Sequence, residues 1–242
     1  TIIHSDHRFS YEQAQEVIES GEGKFAEELK ILNDLHHILR KDRFKKGAVN
    51  FETTEVKFKL DAKGKPLSVI PKVRKDAHKL IEEFMLLANK GVATYLFKKR
   101  KGEEKDTFVY RTHDLPNPEK LQTFSEFAKQ FGHKLQVEDA AVSRSLNKLM
   151  DEIEGKPEQN VLQSLAVRAM AKAKYTTEAK GHFGLAFDHY THFTSPIRRY
   201  PDMMVHRLLQ HYLDNGKSVN KKEFEEKCIH SSEREKRAAD AE

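Results

Sequence analysis

The sequence predicts an α+β fold in which helices pack on a mixed or antiparallel sheet. Apolar residues recur at helical spacing through most of the 242 residues, one stretch after Ala48 switches to a period of two, and no repeat, linker or low-complexity tract divides the chain. Hydrophobic residues make up only 38 % against 33 % charged, so a core depends on the apolar positions falling into ordered stripes. The pattern predicts one continuous domain cut at both ends.

Ser10 and Gln13 have capping-box spacing and start a helix that runs through Tyr11 and Val17 toward Gly21. In the longer helix that follows, Phe25, Leu29, Leu32, Leu35 and Leu39 form one apolar face, and Gly47 ends its basic tail RKDRFKKG. Val56, Phe58 and Leu60 then alternate with charged residues, DAKGKP reads as a turn and LSVI follows, which is a β-hairpin pattern. Asp76 reads as the cap of a helix carrying Leu80, Phe84, Leu87 and Ala88, with Tyr95 and Phe97 extending it beyond Gly91. A short strand at FVYR precedes a helix with Asn117 as cap, Pro118 at its first position, Leu121, Phe124 and Phe127 inside and Gly132 as stop. Two more helical patterns lie around residues 141–153 and 161–173, and a last one starts near Asn220 with Phe224, Cys228 and Ile229 on one side. That last pattern meets no C-cap before the final residue, so the chain is expected to end inside a helix.

A net charge of +5 favours an acidic partner such as nucleic acid. The lone Cys228 excludes an internal disulfide framework and any multi-cysteine metal site, which suits a reducing cytosol. No apolar run reaches membrane-spanning length and no signal peptide opens the chain, so a cytoplasmic location without a membrane partner is expected.

The densest chemistry lies in residues 182–209, HFGLAFDHYTHFTSPIRRYPDMMVHRLL. Ser195 followed by Pro196 reads as a helix N-cap and first residue, which puts Arg198 and Arg199 in the first turn. Cations there oppose the helix dipole unless an anion intervenes. Two readings fit: a bound phosphate, or an ion pair with Asp188 or Asp202. His182, His189 and His192 with Asp188 have the chemistry of a zinc or manganese site, but their spacing matches no closed zinc pattern, and hydrogen-bonded or exposed histidines fit equally.

This segment, together with residues 51–89 and 230–242, resembles the RNB family of exoribonucleases, and within it the bacterial ribonuclease R branch. The three segments occur in the family's order and span nearly the whole chain. The resemblance implies the C-terminal part of an RNB catalytic domain over residues 1–242, with flanking OB-fold RNA-binding domains outside it. It implies a hydrolytic, processive 3′–5′ exoribonuclease releasing 5′-mononucleotides, acting as a monomer on the 3′ end of single-stranded RNA.

Arg198 matches the family arginine that contacts the scissile phosphate and stabilises transition-state charge. Arg199 fits either a backbone-phosphate contact or a structural ion pair. Phe51 matches the aromatic that clamps the terminal bases, a task suited to a flat ring because stacking accepts any base. Tyr11 and Glu82 match positions that hold ribose hydroxyls, and a carboxylate accepting from a 2′-OH distinguishes RNA from DNA. Glu82 and Glu83 would otherwise read as solvated helix carboxylates. Glu242 matches a late glutamate beside the active site.

Magnesium is the implied cofactor, since hydrolysis without covalent chemistry needs metal ions on the phosphate and attacking water. Such ions need clustered carboxylates, and the sequence has no D-D or D-x-D cluster. The family's order puts those ligands upstream of Thr1, so no metal ligand is assigned within the chain. It is therefore expected to hold RNA and to be inactive alone. The alternative is a non-catalytic RNA-binding relative that has lost the aspartates.

Overall fold

The computed structural model describes residues 2–50, 56–71, 73–99, 106–138 and 141–241. The chain divides into two compact units: Thr1–Asp42 with Glu52–Phe84, and Arg43–Phe51 with Met85–Glu242. Two of the three divisions, 42/43 and 84/85, fall inside helices, where local sequence does not mark them.

The first unit opens with α1 (Tyr11–Ser20), started by the capping box the sequence predicts. Ser10 Oγ accepts from the Gln13 N–H at 3.2 Å, and the Gln13 side chain accepts from the Ser10 N–H at 2.9 Å. Gly21 stops the helix in the left-handed region at φ 71°, a conformation glycine adopts without a Cβ penalty. Most of α2 (Ala26–Lys45) follows, and its orientation differs from expectation. Ile31, Leu32, Leu35 and Ile38 are exposed, whereas Leu29, Asn33, His36 and Arg40 are buried or partly buried. Of the predicted apolar face, Phe25, Leu29 and Leu39 are partly buried while Leu32 and Leu35 are exposed, and the polar residues Asn33, His36 and Arg40 also turn inward.

The hairpin β1 (Val56–Leu60) and β2 (Pro66–Pro71) is antiparallel, pairing Phe58 with Val69 and Lys59 with Ser68. Asp61 closes its turn by accepting from the Lys63 and Lys65 N–H groups at 2.8 and 2.9 Å. The helix α3 (Asp76–Lys99) begins in this unit, where the Gln15 side chain accepts from the Ala77 N–H at 2.9 Å and ties α1 to its first turn. Gly91 does not interrupt α3, as Tyr95 and Phe97 beyond it imply.

In the second unit β3 (Tyr110–Thr112) pairs antiparallel with β4 (Lys174–Thr176). Three residues are too few for a period-two signal, and β4 has no counterpart in the sequence reading. α4 (Pro118–Gln130), α5 (Val142–Ile153) and α6 (Gln159–Ala169) enclose a core of Leu121, Phe124, Leu146, Leu149, Ile153 and Leu162. Asn117 caps α4 by accepting from the Lys120 N–H at 3.0 Å, as its sequence predicts. A second core joins the end of α3 and β3 to α7 (Tyr200–Leu213) and α8 (Lys221–Ala239) through Leu96, Phe108, Val205, Leu208, Tyr212 and Cys228. Among the described residues, no helix is long and apolar enough to cross a membrane.

Several boundaries differ from expectation: α6 covers Gln159–Ala169 rather than 161–173, Asp76 is the first residue of α3 rather than its cap, and both ends of the α7–α8 region shift. α7 begins at Tyr200 rather than at Ser195–Pro196, and residues 196–198 form a turn in which the Arg199 N–H reaches the Ser195 carbonyl at 3.0 Å. Pro201 is the reason. It lacks the N–H that would bond the Ile197 carbonyl, and its ring would clash there, so a helix can restart at this proline but cannot run through it. α8 ends at Ala239, where the Asp240 and Ala241 N–H groups donate back to Lys236 and Ala238 carbonyls and tighten the last turn.

Candidate nucleic-acid interface

In the second unit the signature segment is fixed from several sides before it reaches its arginines. Thr191 donates its hydroxyl to the Val109 carbonyl at 2.7 Å, and His206 Nε2 meets the Phe193 carbonyl at 2.8 Å. The Asn89 side-chain oxygen accepts from the Phe193 and Thr194 N–H groups at 2.9 and 3.2 Å, and its amide donates to the Tyr190 hydroxyl at 3.0 Å. Asp202, fully buried in the first turn of α7, accepts from the Ser195 N–H at 2.7 Å and from Arg199 at 2.8 Å.

One carboxylate thus fixes both the entry of the turn and the second arginine. Arg199 forms the ion pair with Asp202 that its sequence position allows, a geometry that directs it toward the loop. Arg198, next to it, is exposed and approaches only Ser195 Oγ, at 3.5 Å.

Arg198 borders a cleft of about 750 Å³ between the start of α7 and the face of α8, with Tyr200, Lys227, His230 and Arg234. Lys227, His230 and Arg234 fall at i, i+3 and i+7 of α8 and so share one side of it. Three carboxylates, Glu223, Glu226 and Glu235, line the same cleft, and two of them are paired: Glu223 holds Lys227 at 2.6 Å, and Glu235 is gripped by Arg111 through contacts of 2.6 and 3.1 Å. The cleft therefore sets arginines from two elements on one opening, a geometry suited to anionic phosphate. The three α8 side chains were not anticipated, because a charged helical face ordinarily reads as solvated.

The signature histidines sit apart from this chemistry. His182 is held down to about 3 by burial, with His113 and Arg111 adding to it, and His192 to about 2 by burial and then by Arg199 and Arg111. Both are neutral near pH 7. His192 Nδ1 lies 2.8 Å from the Tyr175 hydroxyl, and His189 stacks on Phe97 at 3.8 Å. Among the described residues, His182, His189, His192 and Asp188 do not converge into a metal-binding group.

In the first unit Tyr11 opens α1 and stacks on the His78 ring at 4.2 Å, with the rings 13° apart. His78 and Glu82 are one helical turn apart on α3, so Tyr11 is brought to the helix face that carries Glu82. Glu82 is partly exposed and paired with Arg74, a partner the sequence reading did not single out. Glu83 is not the solvated carboxylate expected: it is buried and faces Arg40 at 3.7 Å. Phe51 and Glu242 lie outside the described residues.

The group of three or more potential metal ligands among the described residues is His36, His37 and Asp76. Two imidazoles and one carboxylate do not fit a magnesium centre, which requires oxygen ligands in near-octahedral array. The family's magnesium centre is therefore not assigned to these residues.

The model for the RNB domain matches residues 1–215. The chain is 38 % identical to ribonuclease R 1 of Lactococcus lactis and 36 % identical to ribonuclease R of Aquifex aeolicus, covering 100 % of this chain in each case. It spans 30 % and 35 % of the length of those relatives. Among solved structures it is similar to Mycoplasma genitalium RNase R in complex with ribose-methylated single-stranded RNA, with a TM-score of 0.80 and 27 % identity over 93 % of this chain and 36 % of that one. It also shares its fold with yeast Ssd1, a pseudonuclease, at a TM-score of 0.68 and 20 % identity over 93 % of this chain and 28 % of that one.

Proposed function

The chain belongs to the RNB family, and from that premise we propose that it is the strand-holding part of a metal-dependent 3′–5′ exoribonuclease that processively releases 5′-mononucleotides from single-stranded RNA. The observation that carries this reading is the placement of Arg198: exposed on a turn that Asp202 and Asn89 hold, at the mouth of a cleft shared with Arg234. Residues 1–242 are the C-terminal part of the catalytic domain in this reading. The OB-fold domains and the carboxylates for magnesium belong to other parts of the protein, upstream of Thr1 in the case of the carboxylates. The share of the relatives that the chain spans supports this division.

Arg198 donates to the non-bridging oxygens of the phosphate at the cleaved bond and meets charge that grows as the attacking oxygen adds. Donors already in place cost no reorganisation when that charge develops. Arg199, oriented by Asp202, completes the turn and contacts the adjoining backbone phosphate. Glu82, steadied by Arg74, accepts from a ribose 2′-OH near the 3′ end, and Tyr11 on its His78 platform donates to the neighbouring sugar. By resemblance, Phe51 is the ring that stacks on terminal bases, which adds grip without sequence preference, and Glu242 is the family's late glutamate.

Sugar discrimination tests the reading. Glu82 helps only strands that carry the 2′-OH and offers DNA a carboxylate without that donor. With the chain in a full-length enzyme, Glu82→Ala, alone or with Tyr11→Phe, is expected to weaken RNA cleavage and to leave DNA binding unchanged or improved. The measurement is cleavage efficiency on matched RNA, DNA and RNA with one 2′-deoxy sugar moved inward from the 3′ end. An unchanged RNA-to-DNA ratio in both variants withdraws ribose recognition from Glu82.

A further inference from the structure

The inward side of α2 within the first unit is polar, and part of it has no protein partner. His36 is 0 % exposed, and neither of its ring nitrogens has a hydrogen-bond partner; the buried Asn33 Oδ1, one turn earlier, has none either. Buried polar atoms are almost always satisfied, so orphans grouped on one turn mark a place where a further group belongs. Two other ligand types stand beside them. The His37 ring lies 4.0 Å from the His36 ring, and Asp76, the first residue of α3, places Oδ2 3.9 Å from His37 Nε2. One donor atom from each of His36, His37 and Asp76 lies within 4.8 Å of the other two.

We propose that His36, His37 and Asp76 form a binding site for a zinc-type divalent cation, clipping α2 to the start of α3. The donor set selects the ion, since imidazole suits zinc, cobalt or nickel and is a poor ligand for magnesium or calcium. Spacing agrees: metal–ligand bonds of about 2.0–2.1 Å in a tetrahedron set donor atoms roughly 3.3 Å apart, within small side-chain adjustments of what is observed. Burial, and then His37, lower the His36 pKa, which favours the neutral form that binds metal, and Glu83 adds negative potential nearby. Water or the Asn33 carbonyl oxygen takes the fourth position. The site lies on residues to which the RNA reading assigns no role, and stands or falls independently of it.

The test titrates the chelator-treated 242-residue chain with Zn²⁺ by calorimetry, with Co²⁺ absorption reporting coordination geometry. One equivalent is expected to bind, with a tetrahedral Co²⁺ spectrum and a rise in thermal midpoint. His36→Gln, His37→Gln and Asp76→Asn should each weaken binding by more than the roughly 10–100-fold that loss of an outer-shell partner costs. His37 is half-exposed, so His37→Gln keeps the fold and decides the matter if His36→Gln does not fold. Absence of saturable binding, affinity unchanged in His37→Gln, or equal competition by Mg²⁺ would overturn the proposal.

Discussion

Asp202 does more for the arginine pair than either arginine does for itself. Its side chain is fully buried, one oxygen serves the Ser195 N–H and Arg199 together, and the turn bearing Arg198 lies between those two contacts. Asp202→Ala leaves a charge and an N–H unpaired. Breaking a buried pair typically costs about 3–5 kcal/mol, and partial exposure of Arg199 puts the expected loss near the lower end. Urea unfolding checks this, and a loss below about 1 kcal/mol, the scale of an exposed pair, would contradict it.

Arg198 itself should barely affect stability, since it is exposed and holds nothing in place. Arg198→Ala in a full-length enzyme is expected to reduce kcat by about 10²–10³, the usual cost of one preorganised donor to a developing anion, with RNA affinity largely kept. Equal falls in kcat and affinity would make it an affinity residue instead. At this scale the sequence exposed the arginines and offered Asp202 as a partner, because both lie within a few positions of one another. It could not reveal Arg234 or Asn89, which reach the segment only through folding.

Element boundaries were legible wherever the signal was local. Ser10 with Gln13 and Asn117 cap helices as their spacing predicts, since a cap needs only a side chain and an N–H two or three residues on, and Asn220, near which the sequence predicts a helix start, caps α8. The start of α7 was misread because Ser195–Pro196 is also a good turn, and the choice is made by Pro201 downstream. In α2 periodicity found a stripe of which Phe25, Leu29 and Leu39 are partly buried, but not that His36 and Arg40 also turn inward, as that depends on neighbours such as Glu83.

The signature loop also gives its elements a pH dependence. His182 and His192 are neutral in the fold down to about pH 3 and 2 because they are buried, whereas unfolded histidine takes a proton near pH 6.5. Below 6.5 the unfolded chain binds more protons, so stability falls with pH by up to about 1.4 kcal/mol per unit for each histidine, and these groups contribute no slope above it. The thermal midpoint should drop as pH falls from about 6.5 to 5, and His192→Asn should make the drop shallower. A midpoint that stays level over that window contradicts the buried, neutral assignment.

At the scale of the whole molecule, family membership was legible because separated segments matched in order, which no periodicity argument could supply. The proposed phosphate and ribose contacts come from different stretches of sequence, Arg198 from the signature segment and Glu82 from α3, and only resemblance joins them to one substrate. In the proposed function this chain holds RNA, and cutting it requires carboxylates from elsewhere in the protein.

That separation is most directly tested by giving the purified 242-residue chain a labelled single-stranded RNA, its DNA counterpart and abundant Mg²⁺, then measuring binding by fluorescence anisotropy and mononucleotide release by chromatography on the same samples. The account predicts RNA bound in preference to DNA, binding that weakens as salt rises, and no release of mononucleotides. Magnesium-dependent release by the pure chain, or equal failure to bind either strand, would contradict it.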